Sequence, residues 1–357
     1  MALAAALAER GLDLYARNID FVTEEVKLRG LRPALATPNR LRLELRTMFL
    51  REYGEPSRTS TGTPTGTPTL VDAPYAGHTA MIADYHRGQS LIETLLANGL
   101  RHVLLTDWKS ATLDMKDLEI DNYLAELVVA IDDLGGRVNL IGLCQGGWMA
   151  VMLAARFPEK VNSLTLAGAP IDTDAGDGPI KQMAHKFPMA FYDELVAVGG
   201  GLMRGAMMLR GWKNMHPEQH YVHKHIDLYE HLEDPAYLEK EETFERWYEN
   251  PLDLPGRWYL QAIAQLFKEN RLAKGEFVGL GRTLNLRTIT CPTYLLAGAA
   301  DDITTPEQVL HAEQLLGTPS TQIIKQIVPG GHVGLFMGAR TLKEYWPSIA
   351  RWINAIC

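Results

Sequence analysis

The feature that most constrains this chain is a cysteine between glycines, at the point where an apolar strand pattern changes to a helical one. The turn has the sequence Gly142-Leu-Cys144-Gln-Gly146, and Gly147 follows it. A sharp strand-to-helix turn holds its central residue in a strained backbone conformation, which requires small neighbours on both sides. At the N-terminal end of a helix, the dipole favours a thiolate. We therefore predict that Cys144 is a nucleophile, the alternative being a buried structural cysteine at the end of a strand.

Short apolar runs and helical patterns alternate through most of the chain. This alternation predicts the α/β class, with a mostly parallel central sheet and helices on both faces. The predicted strands are 69–73, 102–106, 138–143, 163–167, 293–297 and 322–328. The predicted helices are 88–98, 121–134, 146–157, 306–316 and 340–355.

Two other segments differ from this alternation. Residues 1–56 are charged and have a helical pattern, whereas residues 57–68 contain a repeated Thr-Gly-Thr-Pro, a composition that predicts a linker. The catalytic domain is therefore expected over residues 69–357. Within it, residues 177–277 are rich in Met, His, Trp and Tyr and show helical periodicity, which predicts an inserted helical cap.

Length and composition fit one large domain with an insertion. The chain has 357 residues, of which 46% are hydrophobic, and a formal net charge of -8. An acidic chain lacks the basic field that attracts phosphate backbones, so nucleic acid is not an expected partner. With three cysteines, no signal-peptide pattern and no apolar run long enough to span a bilayer, a cytoplasmic location is expected.

A thiolate nucleophile needs a base, which in this type of fold follows the last strand. His332 comes just after the strand predicted at 322–328, between glycines, and is predicted to be that base. The imidazole in turn requires a buried carboxylate, placed between nucleophile and base in chain order. Asp301 follows the strand predicted at 293–297 and is favoured over Asp302, which we interpret as a solvated turn or helix-capping residue.

Backbone N–H groups beside the nucleophile are predicted to form an oxyanion hole. One comes from Gln145, the residue after the cysteine. The second is expected from the loop after the first predicted strand, where Tyr75 to His78 offer backbone amides and Ala76 and Gly77 are preferred. The side chain of His78 is interpreted either as a hydrogen-bond donor to a substrate carbonyl or as an ordinary turn histidine.

Two groups of side chains in the predicted cap have a structural and a functional interpretation. The histidines lack the spacing of a zinc site, so a solvated polar face is favoured and no metal is predicted. The aromatic residues are interpreted as the core of the cap, with some of them lining an apolar substrate entrance. The histidines are His216, His220, His223, His225 and His231, and the aromatic residues are Phe244, Trp247, Tyr248, Trp258 and Tyr259.

The chain resembles the superfamily of poly(3-hydroxyalkanoate) synthases and intracellular poly(3-hydroxybutyrate) depolymerases, which are α/β-hydrolases with a cysteine nucleophile. The resemblance covers about residues 69–356 and rests on the Cys144 turn together with Thr106-Asp-Trp108, residues 254–260, residues 269–275 and Gly331-His-Val-Gly334. It implies an α/β-hydrolase fold in which Cys144 attacks a polyester carbonyl, His332 acts as base and then as acid, and Asp301 orients the imidazole.

The resemblance implies two activities, which share an acyl-thioester intermediate and differ in the acyl acceptor. The glycine pair after Cys144 is similar to synthases. In contrast, synthases commonly carry Asp-His where this chain has Asp301-Asp302, so the chain departs from the synthase pattern at this position. The balance favours a depolymerase, in which water hydrolyses the intermediate, over a synthase, which transfers 3-hydroxyacyl groups from coenzyme A to a growing chain. A third hypothesis is a granule-associated scaffold with an inactive site. The segments similar to depolymerases are 73–79, 169–173, 301–303 and 331–338.

The resemblance also implies the surroundings of the site. A polyester is the implied substrate and a polyester granule the implied surface, while ester hydrolysis needs no cofactor, so none is predicted. A homodimer is compatible with the sequence. Substrate contacts are predicted for the side chains of Tyr75, His78, Trp108, Trp148 and Val333.

Overall fold

Eight strands form one sheet in the computed structural model of the chain, which describes residues 17–20, 23–24, 32–58, 64–215 and 223–356. The strands are β1 (Arg40–Glu44), β2 (Met48–Gly54), β3 (Thr69–Asp72), β4 (His102–Trp108), β5 (Val138–Leu143), β6 (Val161–Ala167), β7 (Thr293–Gly298) and β8 (Ile323–Val328). Their order across the sheet is β1-β2-β4-β3-β5-β6-β7-β8.

The sheet is parallel from β4 to β8 and antiparallel where β2 joins β1 and β4. Every residue of β3, β5 and β7 is buried, as expected for strands covered on both faces. The six strands predicted from the sequence are confirmed, and their ends differ by at most two residues. The carboxyl ends of the parallel strands meet at one edge, where ligands bind in sheets of this type.

Helices follow the strands and pack on the sheet or on each other. They are α1 (Leu91–Ala97), α2 (Ile120–Asp133), α3 (Gln145–Arg156), α4 (Pro179–Lys186), α5 (Met189–Val198), α6 (Gly205–Lys213), α7 (Lys224–Glu230), α8 (Pro235–Tyr248), α9 (Gly256–Gln261), α10 (Pro306–Leu310), α11 (Ala312–Leu315), α12 (Gly334–Met337), α13 (Ala339–Glu344) and α14 (Trp346–Ile356). Helix α9 continues directly into a π-helix over Ala262–Lys268.

Helix α2 shows how the sequence specifies such an element. Its buried residues recur with helical spacing, and a capping box begins it, in which the side chains of Glu119 and Asn122 each accept a backbone N–H of the other. The helix predicted at 340–355 is divided into α13 and α14 instead. Pro347 lies at the start of α14, where a missing N–H is tolerated, but it could not continue a preceding helix.

The structure contradicts the predicted helical segment over residues 40–54, which form β1 and β2 of the main sheet, whereas residues 17–20 and 23–24 are helical. The stretch Arg40-Leu-Arg-Leu-Glu44 alternates charged and apolar residues with period two, which is a strand signal. The predicted linker is also not a domain boundary, since the sheet begins before it. In its described part, Ser57–Arg58 pairs with Pro64–Thr65 in a short antiparallel ladder.

The chain divides into two compact units, and the predicted cap is shared between them. One unit comprises Leu35–Arg204 and Leu252–Cys357 and contains the sheet; the other comprises Met1–Ala34 and Gly205–Pro251. Within the second unit, the ring of Phe244 stacks on Tyr248 at 5.2 Å and meets Trp247 edge-on at 5.8 Å, so these aromatic residues form part of that unit's core.

No helix among the described residues is long and apolar enough to cross a membrane.

A buried carboxylate fixes the strands before residue 57 to the rest of the sheet unit. Asp84, which is 0% exposed, accepts hydrogen bonds from the backbone N–H of Thr37 at 3.0 Å and from its hydroxyl at 2.6 Å. It also accepts from the hydroxyls of Tyr53 at 3.2 Å and Ser90 at 2.7 Å. Because Tyr53 belongs to β2 and Ser90 caps α1, one side chain joins three parts of the fold.

We expect Asp84→Ala to lower the free energy of unfolding by about 3 kcal/mol, since it leaves several buried donors without an acceptor. Asp117→Ala is the control, because Asp117 is exposed and its replacement should change the value by less than about 0.5 kcal/mol. Urea denaturation of both variants measures the difference. Equal midpoints would show that the Asp84 contacts do not stabilise the fold.

Candidate active site

The Cys144 turn has the geometry of a nucleophile elbow. Cys144 lies between β5 and α3 with φ 52° and ψ -118°, a left-handed backbone conformation that is strained for a residue with a side chain. Its N–H donates to the carbonyl of Ala167 at 2.8 Å, which holds the turn against the end of β6. Cys144 is a free cysteine and is partly exposed.

The glycines around Cys144 permit a close approach that no other residue allows. A Cβ atom on Gly146 would overlap the carbonyl oxygen of Asp72 at the end of β3, and one on Gly147 would overlap the Cβ of Ala169. A Cβ on Gly142 would lie 2.5 Å from the Cα of Gly147. The three glycines thus bring the start of α3 into contact with the ends of neighbouring strands.

Asp301 and His332, which were predicted to act together, are in contact. The Nδ1 atom of His332 lies 2.8 Å from Oδ2 of Asp301, and both residues are buried. The other carboxylate oxygen of Asp301 accepts the backbone N–H groups of Ile303 at 3.0 Å and Thr304 at 2.9 Å. These bonds fix the carboxylate, whereas Asp302 is exposed to solvent.

The surroundings of His332 favour its protonated form. Burial on its own would lower the pKa of His332, but the charge of the Cys144 sulfur and hydrogen bonds to Asp301 and Cys144 outweigh it and raise the pKa to about 10. A protonated imidazole beside the sulfur favours a thiolate. The arrangement therefore brings a thiol, an imidazole and a carboxylate together, in the order that sequence analysis predicted.

The loop predicted to supply the second oxyanion donor is fixed at its beginning by the Thr106-Asp-Trp108 segment. The N–H of Ala73 donates to the hydroxyl of Thr106 at 2.9 Å, and the indole N–H of Trp108 donates to the carbonyl of Ala73 at 2.9 Å. The Thr106 hydroxyl donates in turn to Asp72 at 3.0 Å, and complete burial raises the pKa of that carboxyl far above its usual range. This segment therefore acts as a support for the loop.

Three side chains predicted to contact substrate are buried in the structure. Tyr75, Trp108 and Trp148 are each at most 3% exposed. Their rings form one aromatic cluster with Tyr123 and Trp258, in which Tyr75 lies 4.9 Å from Tyr123 and Trp148 stacks on Trp258 at 5.7 Å. The sequence identified the right region but not the burial, because an aromatic residue beside a motif has the same pattern in a core and in a pocket.

The other predicted site residues lie near the surface of the same region. Ala76, His78 and Val333 are partly exposed, whereas Gly77 is buried and its carbonyl accepts the N–H of Leu252 at 2.7 Å. The Gln145 N–H is the first of helix α3, and the first N–H groups of a helix have no acceptor within it. The backbone N–H groups of Gln145, Ala76 and Gly77 thus stay the predicted oxyanion donors.

Three of the five histidines of the predicted cap, His223, His225 and His231, lie among the described residues. His216 and His220 lie outside the described residues. His231 stacks on Tyr237 at 4.6 Å, and its Nδ1 atom lies 2.8 Å from the carbonyl of Asp227. Among the residues that the structure describes, no three His, Cys, Asp or Glu side chains are grouped so that they could hold a metal ion.

A second contact between an aspartate and a histidine, which sequence analysis did not identify, lies apart from the contact of Asp301 with His332. Asp172 accepts a hydrogen bond from the amide of Asn270 at 2.7 Å and pairs with Nδ1 of His311. Asn270 also accepts the N–H of Thr173 at 3.3 Å. Two sequence segments that carry the resemblance, 169–173 and 269–275, thus meet at a structural junction, a relation that no spacing in the sequence reveals.

The sheet order and the site geometry define an α/β-hydrolase. A family model described as "Protein of unknown function (DUF3141)" matches residues 55–355, and the chain belongs to that family. Among solved structures, the monoacylglycerol lipase of Paleococcus ferrophilus is similar with a TM-score of 0.55 and 18% identity, covering 87% of this chain and 99% of that one. The similarity confirms the fold class.

Relatives in other organisms confirm the resemblance to the polyhydroxyalkanoate enzymes. The "Poly(3-hydroxyalkanoate) polymerase subunit PhaC" of Haloferax mediterranei is 28% identical over 79% of this chain. The protein of the same name in Allochromatium vinosum is 26% identical over 80% of this chain and 78% of its own length. The chain spans only 56% of the length of the Haloferax relative.

The pKa of His332 predicts how Cys144 alkylation depends on pH. Because that pKa is raised to about 10, the imidazolium persists through neutral pH and deprotonates only near pH 10. A cysteine without such a partner is only a few per cent thiolate at pH 7, so His332→Gln should slow alkylation by iodoacetamide there by roughly 10-fold or more. The difference should disappear as the pH approaches about 10.

Mass spectrometry of the peptide that contains Cys144 measures this rate. Cys291 is an internal control in the same sample, since burial raises its pKa to about 11 and should keep it slow at neutral pH. Equal rates for the two proteins at pH 7 would contradict an imidazolium beside Cys144.

Proposed function

We propose that this chain is a thiol acyltransferase of the polyhydroxyalkanoate type, which transfers 3-hydroxyacyl groups from coenzyme A thioesters to a growing polyester. The observation that carries the proposal is the contact of His332 with both Asp301 and Cys144. Sequence analysis favoured hydrolysis, but the relatives named as polymerase subunits favour transfer. The polyester, and through it a granule surface, is the partner that this function implies.

The reaction proceeds in two acyl transfers through Cys144. The thiolate attacks the thioester carbonyl, the carbonyl electron pair moves to oxygen, and the N–H groups of Gln145 and Ala76 stabilise that oxyanion. Collapse expels the coenzyme A thiolate, which takes a proton from His332. His332, now neutral, removes the proton of the chain-end hydroxyl as this hydroxyl attacks the acyl-enzyme, while Asp301 holds the imidazole.

Polyester hydrolysis is the second candidate function. The segments at 73–79 and 331–338, which are similar to depolymerases, supply the oxyanion loop and His332. The first half of the reaction then begins from a polyester carbonyl, and water replaces the hydroxyl in the second half. The two functions therefore differ in the acyl donor and in whether water reaches the acyl-enzyme.

Incubation with 3-hydroxybutyryl-coenzyme A and, separately, with amorphous poly(3-hydroxybutyrate) distinguishes the functions. We expect release of coenzyme A with polymer growth, and loss of both in Cys144→Ala. Asp301→Asn should lower the rate by about 100-fold or more, because it favours the wrong tautomer of the imidazole. The matched variant Asp302→Asn should stay near the unmodified rate, since that carboxylate is exposed and is not the one bonded to His332.

Hydroxyacid release from the polymer, abolished in Cys144→Ala, would assign the depolymerase function instead. Binding to polyester granules without turnover of either substrate, unchanged in Cys144→Ala, would indicate a scaffold.

A further inference from the structure

The side chain of Gln145 connects the two halves of the oxyanion hole. Gln145 is 6% exposed, and its Oε1 atom accepts the backbone N–H of Tyr75. Its amide nitrogen donates to the sulfur of Met149 one helical turn further along, at 3.2 Å. The two contacts are consistent with one direction of the amide, since a backbone N–H can only donate to Oε1 and a thioether sulfur can only accept from the amide nitrogen.

The contact with Gln145 excludes Tyr75 as an oxyanion donor. The N–H of Tyr75 is already bonded, and its ring is held in the aromatic cluster, where the hydroxyl donates to the carbonyl of Asp253 at 3.2 Å and accepts from Tyr123 at 3.1 Å. Neither the backbone nor the side chain of Tyr75 is therefore available to substrate. The next N–H along the chain is that of Ala76, which is partly exposed.

Three anchors set the path of the loop, and Ala76 lies between two of them. Ala73 is held by Thr106 and Trp108, Tyr75 by Gln145, and Gly77 by Leu252. Among these, the Gln145 contact alone joins the loop to the residue that follows the nucleophile. A change in that contact would therefore move the Ala76 N–H relative to the Gln145 N–H.

We infer that the Gln145 side chain is a positioning residue, which sets the separation of the two oxyanion donors by holding Tyr75 to the nucleophile elbow. The inference rests on the proposed acyl transfer through Cys144, and it adds a role for a side chain where only the backbone of Gln145 was assigned one. Formation of the carbon–sulfur bond moves the carbonyl electron pair onto oxygen, which these donors then bind. Alkylation by iodoacetamide forms a carbon–sulfur bond by displacing iodide and creates no oxyanion.

The test compares acylation and alkylation of Cys144 in the full-length chain. Gln145→Met keeps the length of the side chain but removes the acceptor for Tyr75. We expect the rate of Cys144 acylation by p-nitrophenyl butyrate, measured as a nitrophenol burst, to fall about 10- to 100-fold, with KM changed less than about threefold. The alkylation rate should stay within about twofold.

Three further variants isolate the contact. Met149→Leu removes the partner of the amide nitrogen but leaves the Tyr75 bond, so its burst should stay within about threefold of the unmodified protein. Gln145→Glu retains an acceptor and should acylate faster than Gln145→Met. If Gln145→Met does not fold, Gln145→Asn replaces it, since its amide is one methylene too short to reach Tyr75.

Unchanged acylation in Gln145→Met, or in the Gln145→Asn variant that replaces it, would overturn the inference, as would a parallel loss of acylation and alkylation, which would indicate general damage to the elbow. A protein that is alkylated but never acylated would overturn both the inference and the proposed chemistry. If p-nitrophenyl butyrate acylates Cys144 but neither polyester nor coenzyme A thioester reacts, the proposed function fails and the Gln145 comparison still decides the inference.

Discussion

Helix α3 approaches the ends of β3 and β6 so closely that no Cβ atom fits at Gly146 or Gly147. Cys144, at this point of close approach, has a left-handed backbone conformation. The helix begins directly after it, at Gln145, beside the carboxyl edge of the sheet. It also brings the side chain of Gln145 within reach of the loop after β3. The proposed nucleophile, one proposed oxyanion donor and the contact inferred to hold the other donor therefore all depend on the same close packing.

The segments that carry the family resemblance mostly support the site and do not touch its reacting atoms. Thr106 and Trp108 hold both backbone groups of Ala73, and Asp107 between them pairs with Arg51 at 2.9 Å. Asp172, Asn270 and His311 form a junction between the loop after β6, the end of the π-helix and the helical segment after β7. Such supports are costly to change because each one leaves a buried polar group unpaired if a partner is lost.

Sequence reasoning predicted the parts of this protein that depend on local pattern. The parallel strands, the Cys144 turn and the order Cys144, Asp301, His332 follow from periodicity and turn chemistry. It failed at β1 and β2, where the period-two alternation of Arg40–Glu44 was not recognised in a charged segment, and where β2 is held in the sheet by pairing with β4, which is far away in the sequence. Tyr75, Trp108 and Trp148 are buried in one aromatic cluster, which Trp148 joins through Trp258, and only the folded structure shows this burial.

The central claim is that Cys144 carries the acyl group. Rapid mixing with 3-hydroxybutyryl-coenzyme A, acid quenching and mass spectrometry of the intact protein and its peptides test it directly. The predicted result is a single hydroxybutyryl adduct on Cys144 that forms as coenzyme A is released, with no adduct and no release in Cys144→Ala. Release of coenzyme A by Cys144→Ala at the unmodified rate, or an adduct on another residue, would contradict the account.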